Sequence, residues 1–278
     1  MYSLVSLGFV VIYRTVKFLH FAHGAVYTAG AYVAYSLVIQ LGHGLIIAFL
    51  ESMALAAVLG IVIDRAVYFP LRKRKSSNLT FLLASFGIFI LLQNLIQLIY
   101  GAQIRTVRTG PVKEGYHLFS AVITSTQIMI LVASIIFMIG LWAFIVKTRL
   151  GKAMSAVSDD PVAASLVGIS PEKTIMLCFA IGSALAGAAG ILISLETNIE
   201  PTMGFTAILK GIIASIVGGI GSIPGAMLGG FFIGITENLG IAWIPSGWKD
   251  VIAFGILIIF LIVRPQGILG KKEQKEVV

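Results

Sequence analysis

Six apolar runs, near residues 22–40, 45–68, 79–100, 121–146, 174–195 and 250–264, constrain this chain more than any other feature. Runs of this kind read as crossings of the roughly 30 Å hydrocarbon layer of a bilayer. Inside that layer every backbone polar group must find its partner within the protein, so each run is expected to be an α-helix. Hydrophobic residues make up 58% of the chain and charged residues 12%, with a mean hydropathy of +1.00. A soluble domain carries about a quarter charged residues, so a soluble globule is excluded. The expected fold is all-α: a polytopic membrane helix bundle of about eight transmembrane helices, forming a single domain over residues 1–278.

Between the last two runs lies Ser215-Ile-Val-Gly-Gly-Ile-Gly-Ser-Ile-Pro-Gly-Ala-Met-Leu-Gly-Gly230, where glycines and Pro224 interrupt membrane-type sequence. An unpaired backbone group in hydrocarbon costs several kcal/mol. Such a break persists where helices pack closely or where it lines a polar path. The segment 206–240 therefore reads as two short spans meeting at Gly221 to Gly225, or as a re-entrant hairpin; both return the chain to the side it left. Transport is the first functional expectation, with Gly218, Gly219, Gly221, Pro224 and Gly225 on a translocation path or gate. Small residues at four-residue spacing form packing faces: Gly182, Ala186 and Gly190; Gly211, Ser215 and Gly219; Gly225 with Gly229; and Gly230 with Gly234. Close packing alone is the plainer reading of each glycine.

The net charge of +8 is distributed by topology. If Arg72-Lys-Arg-Lys75 is cytoplasmic, the loop 147–173 and the tail after Arg264 fall on the same side. Fifteen of the twenty Lys and Arg then lie inside, against Arg105, Arg108, Lys113 and Lys249 outside. That is the positive-inside bias of an inner (plasma) membrane protein with a cytoplasmic C-terminus, and it is no nucleic-acid footprint. Residues 1–13 are too short to cross, and Arg14 and Lys17 follow directly. They lack the leading positive charge and cleavage site of a signal peptide, so either a truncated first helix or a late-placed start is expected, with helix 1 normally beginning upstream of Met1. A single cysteine, Cys178, excludes an intrachain disulfide and a Cys-based metal site.

Glu51, Lys210 and Glu237 fall at membrane depth, where burial costs at least about 2.5 kcal/mol each unless the charge is paired or wet. Lys210 and Glu237 flank the Gly-rich segment and are expected either to pair across it or to line a polar lumen. His20 and His23 have no partners at metal-ligand spacing, so helix-end packing or hydrogen bonding is expected there, and no metal. Asp64 and Arg65 read as an anchoring pair at a helix end.

The loop Gly151-Lys-Ala-Met-Ser-Ala-Val-Ser-Asp-Asp160 leads into Pro161 and Val162. Asp159 or Asp160 can cap a short helix with Pro161 in its first turn; Val162, Leu166 and Val167 give it an apolar side, and Gly168 can end it. Ser170-Pro-Glu172 reads as a second cap, opening the next span. A short amphipathic helix between spans needs a partner groove, whereas an ordinary linker would not.

Six ordered pieces carry a resemblance over nearly the whole chain: Phe21-Ala-His-Gly24 with Ala29-Gly-Ala-Tyr32, Asp64-Arg65 leading to Pro70-Leu-Arg72, Gly182-Ser-Ala-Leu-Ala-Gly187, Pro201-Thr-Met-Gly204, Gly218-Gly-Ile-Gly-Ser-Ile-Pro-Gly-Ala226 and Arg264-Pro-Gln-Gly-Ile-Leu-Gly270. Together they resemble the branched-chain amino acid permeases of ABC importers, the H-type subunit more than its M-type partner. The resemblance implies alternating access driven by ATP hydrolysis in partner subunits. It implies four kinds of partner: a homologous M-type permease or second copy, two cytoplasmic ATP-binding subunits carrying ATP and Mg, an extracytoplasmic solute-binding protein, and membrane lipid. Residues Gly151, Lys152, Ser155, Ser158, Asp159, Asp160, Pro161, Val162, Leu166 and Gly168 would then form the coupling segment that docks on the ATPase. The family usually has an arginine where Ser155 stands.

No cofactor is expected on this chain itself, and no enzymatic activity. Gly267-Ile-Leu-Gly-Lys271 is too short for a phosphate-binding loop, and Pro224 takes the place of the third glycine of a dinucleotide fingerprint. A membrane-embedded enzyme would need a paired nucleophile and base, or an H-E-x-x-H motif within a span. The nearest alternative is a urea or short-amide ABC importer. An ion-coupled secondary transporter, which would need cation-binding carboxylates and no docking helix, is more distant.

Overall fold

The computed structural model describes residues 1–107, 116–118 and 121–270. Arg108, Lys113, Lys271, Lys272 and Lys275, used above to set topology, lie outside the described residues. The chain opens with α1 (Tyr2–Val16), then α2 (Ala22–Tyr35), which ends in a π-helical turn at Ser36–Gln40. Helix α3 (Leu45–Ile63) runs through a second π turn, Asp64–Tyr68, into α4 (Phe69–Lys73). After α5 (Asn78–Tyr100) come two short antiparallel strands, β1 (Tyr116–Leu118) and β2 (Ala121–Ile123). There follow α6 (Ser125–Lys147), α7 (Arg149–Asp159), α8 (Pro161–Leu166), α9 (Pro171–Glu196), α10 (Met203–Gly218), α11 (Ile223–Gly240) and α12 (Lys249–Val263).

The all-α polytopic bundle is observed. Among the described residues, five helices are long and apolar enough to cross a membrane: Leu45–Lys73, α5, α6, α9 and Ser246–Val263. Helices α10 and α11 meet at a 116° bend and make a sixth crossing if taken as one. Residues 121–123, expected to begin a span, are instead strand. The helix starts at Ser125 because Thr124 closes a capping box: its Oγ1 accepts from the Gln127 N–H at 3.2 Å, and Gln127 Oε1 accepts from the Thr124 N–H at 3.1 Å.

Helix α9 is the central pillar, with 72% of its apolar window buried against 22% for α5 and 28% for α6. It packs on α1, α2 and α3. Its glycines set those contacts, each toward a different neighbour. A methyl built on Gly182 would sit 2.7 Å from the Gly8 carbonyl of α1, one on Gly187 2.6 Å from Ala56 of α3, and one on Gly190 inside contact with the Tyr27 carbonyl of α2. Ala186 is fully buried. Such close backbone approach is how helices associate where lipid gives no hydrophobic drive.

Residues 1–13, expected only as a fragment too short to cross, belong to a 15-residue helix of about 22 Å. It is buried from Ser3 to Ile12 and packs against α9, α10 and α11. A helix apolar on every side belongs in the interior, and Ser3, Ser6 and Gly8 let its neighbours come close.

Candidate functional site

One end of the bundle gathers the basic loop 72–75, helices α7 and α8, and the break between α10 and α11. Asp160 caps α8, its Oδ1 accepting from the Val162 and Ala163 N–H groups at 2.8 and 3.0 Å. Gly168 ends the turn with φ +85°, a conformation that favours glycine. The result is a six-residue helix that buries Ala164 and holds its larger apolar residues and its C-cap outward: Val162, Leu166 and Val167 are 68%, 84% and 75% exposed. Lys152, Asp159 and Pro161 are exposed beside them. Ser170 stands at the start of α9 without a side-chain cap; its carbonyl instead accepts from Thr174 N–H and Oγ1.

Three of the expected coupling residues turn inward. Gly151 packs against Ile145 of α6, and Ser158 Oγ donates to the Arg14 carbonyl of α1 at 2.8 Å. Ser155 lines a small cleft with Val11, Arg14, Thr15, Ile145, Met154 and Ile223. Helix α7 thus touches the end of α1 and faces the first residue of α11 across that cleft. The segment is two-sided: α8 presents apolar side chains outward while α7 leads from it to the glycine-rich break.

At the break, Gly219 and Gly221 adopt φ +113° and +83°, which L side chains rarely take. Gly219 has therefore left the helix face it was expected to share with Gly211 and Ser215. Ser222 Oγ caps α11 by accepting from the Gly225 N–H at 3.1 Å, with Pro224 in the first turn. Gly218 and Gly225 meet backbone to backbone, and Gly229 sits on the Ala214 carbonyl. These approaches fold α11 back along α10. Gly221 has open space around it, so its conformation, not packing, calls for glycine.

At the opposite end, Lys210 of α10 and Glu237 of α11 come together. Lys210 Nζ lies 3.0 Å from Glu237 Oε1 and 3.0 Å from Asp250 Oδ1 at the start of α12. Tyr2 completes the cluster, its hydroxyl donating to Glu237 Oε2 at 2.7 Å and accepting from Lys210 Nζ at 3.1 Å. The Glu237 side chain is 1% exposed and that of Lys210 8%, whereas that of Asp250 is 60% exposed. Sequence reasoning missed Tyr2 and Asp250, since neither lies at membrane depth in its run.

A profile of the branched-chain amino acid transport system permease component matches residues 1–261. The chain is 37% identical over 99% of its length to the high-affinity branched-chain amino acid transport system permease LivH of Escherichia coli K12, covering 93% of that protein. The chain belongs to this permease family. The permease is also 37% identical to BraD of Pseudomonas aeruginosa, over 99% of its own length and 94% of BraD. It is 30% identical to a probable LivH of Methanocaldococcus jannaschii, over 96% of its own length and 88% of that protein. No solved structure matches the permease.

Elsewhere in the permease, two polar expectations are revised and the one for His20 and His23 is met. Asp64 pairs with Arg72 at 2.7 Å, not with Arg65, because the π turn carries the buried carboxylate inward toward the next basic turn. Arg65 lies over the Phe69 ring, 5.1 Å from its centroid, and donates to Met176 sulfur. Glu51 is partly exposed and sits 2.9 Å from His43, so it is no buried charge. His20 and His23 are fully buried at the start of α2, with His20 Nδ1 2.9 Å from the Tyr68 hydroxyl. Among the described residues, no group of three His, Cys, Asp or Glu side chains is placed to hold a metal.

Proposed function

We propose that this inner-membrane permease is the translocating subunit of an ABC importer for branched-chain or related amino acids. ATP hydrolysed in partner subunits would drive it, and its C-terminus would lie in the cytoplasm. The carrying observation is the family match across residues 1–261 together with α8, a capped helix holding Val162, Leu166 and Val167 outward from the basic end. An apolar helix side exposed beyond the bundle needs a groove to receive it. A cytoplasmic ATP-binding subunit supplies such a groove in this reading, and ATP and Mg belong to that subunit.

Helix α7 gives the route inward. Movement of α8 reaches Ile223 and Arg14 through the cleft that Ser155 lines, and from there the Gly218–Gly225 contact. Two discrete arrangements of the small-residue interfaces between that bent pair and its neighbouring helices would open the path to one side and then the other. The complete importer would hold a homologous M-type permease or second copy, two ATP-binding subunits and an extracytoplasmic solute-binding protein. Affinity for the solute would reside mainly in that binding protein.

The test is competition. In cells lacking their own uptake systems and expressing the full importer, excess leucine, isoleucine or valine should abolish labelled leucine uptake while urea leaves it unchanged. Competition by urea alone would move the permease to the short-amide importers.

A further inference from the structure

The segment Arg264–Gly270 closes over the α10–α11 break. The Ile268 and Leu269 N–H groups donate to the carbonyls of Val217 and Gly218 at 2.9 and 2.8 Å. Those are the last carbonyls of α10, which a helix end leaves without intrahelical partners. The Arg264 guanidinium reaches back to the Ile268 carbonyl at 3.2 Å, and the Gly267 N–H donates to the Arg264 carbonyl at 2.8 Å, shaping the segment into a tight turn. Glycines make the approach possible on both sides. A methyl on Gly219 would lie 2.8 Å from Gly270 Cα, and one on Gly267 2.6 Å from both Gly219 Cα and the Ile216 carbonyl. Gly267 also holds φ +75°.

Helix α12, which delivers this segment, lies on α10 and α11 through Ala253 and the partly buried Ile256, Leu257 and Phe260. Only Ala253 among its residues is buried. Its start is tied to α10 by Asp250 and Lys210, and its end is tied to α10 by the hydrogen bonds of Ile268 and Leu269. Both ties are therefore on the bent pair, one midway along α10 and one at its C-terminal end.

We infer that Arg264–Gly270 is a positioning element of the glycine-rich break: it occupies the terminal carbonyls of α10 and, with α12, holds the bend as one rigid body while the rest of the importer changes state. This rests on reading the break as the gate. Gly267 is its central positioning residue, because any side chain there meets the Gly219 backbone directly.

The test uses the whole importer in lipid with Cys178→Ser, and nitroxide labels on Ile220→Cys and Leu269→Cys, both of which are 45% exposed. Dipolar broadening of the continuous-wave EPR spectrum reads whether segment and break are adjacent. We expect broadening in the nucleotide-free state and the same broadening after vanadate trapping. Adding Gly267→Ala should remove it in both states and lower uptake at least ten-fold at matched membrane level. No broadening in the nucleotide-free state, loss of it on trapping, or wild-type uptake by the Gly267→Ala transporter would each overturn the proposal. The spectra stand apart from the gate reading, which fails if leucine at Gly218 or Gly225 leaves uptake normal.

Discussion

Removing the charge of Lys210 should damage the protein more than removing that of Glu237. Lys210→Met leaves the Glu237 carboxylate 1% exposed with a single remaining partner, the Tyr2 hydroxyl at 2.7 Å. Stranding a buried charge by deleting its partner costs about 3–5 kcal/mol. Glu237→Gln leaves Lys210 in contact with Tyr2 and with Asp250 at 3.0 Å, and Asp250 opens to solvent. That loss should be smaller, about 1–3 kcal/mol, in the range of an unmade buried hydrogen bond. The double variant removes both charges, so it should be less destabilised than the two single losses predict, with a coupling of about 2 kcal/mol. The assay is a double-mutant cycle on reversible SDS unfolding of the purified permease. Additive losses, or a Glu237→Gln variant weaker than Lys210→Met, would refute the asymmetric cluster.

Three further outcomes follow from the packing. Gly190→Leu forces a side chain into the Tyr27 carbonyl, so it should lose about 1–3 kcal/mol of stability by the same unfolding assay, as overpacked sites do. Gly225→Leu meets the Gly218 carbonyl across the break and should abolish uptake at matched membrane level, measured with labelled leucine. The pair Val162→Asp and Leu166→Asp places charge on exposed positions, so insertion and thermal stability should match wild type while uptake falls at least ten-fold.

Much of this architecture is legible in the sequence because the bilayer admits few alternatives. The run 45–68 becomes a helix over Leu45–Lys73, and 174–195 becomes α9 over Pro171–Glu196. The cap at Asp160 and the stop at Gly168 are equally local, and they appear where side-chain chemistry and positive φ require them. The meeting of Lys210 with Glu237 follows from the high cost of leaving either charge alone in hydrocarbon. What escapes is set by register and tertiary contact. A π turn redirects Asp64 from Arg65 to Arg72, and no periodic pattern announces such a turn. The run of α1 falls below the spanning length, yet burial on all sides makes it central. Gly151, Ser155 and Ser158 share a loop sequence with the exposed residues of α8, and only the packing of α7 on α1 and α6 turns them inward.

On the proposed mechanism this permease would move branched-chain amino acids only when a partner subunit docked on α8 hydrolyses ATP. Proteoliposomes holding the full importer, with binding protein and labelled leucine outside and ATP inside, test it most directly. Leucine accumulation should need ATP, stop with vanadate and be lost in the Val162→Asp, Leu166→Asp permease. Accumulation driven by a sodium or proton gradient without ATP would contradict it.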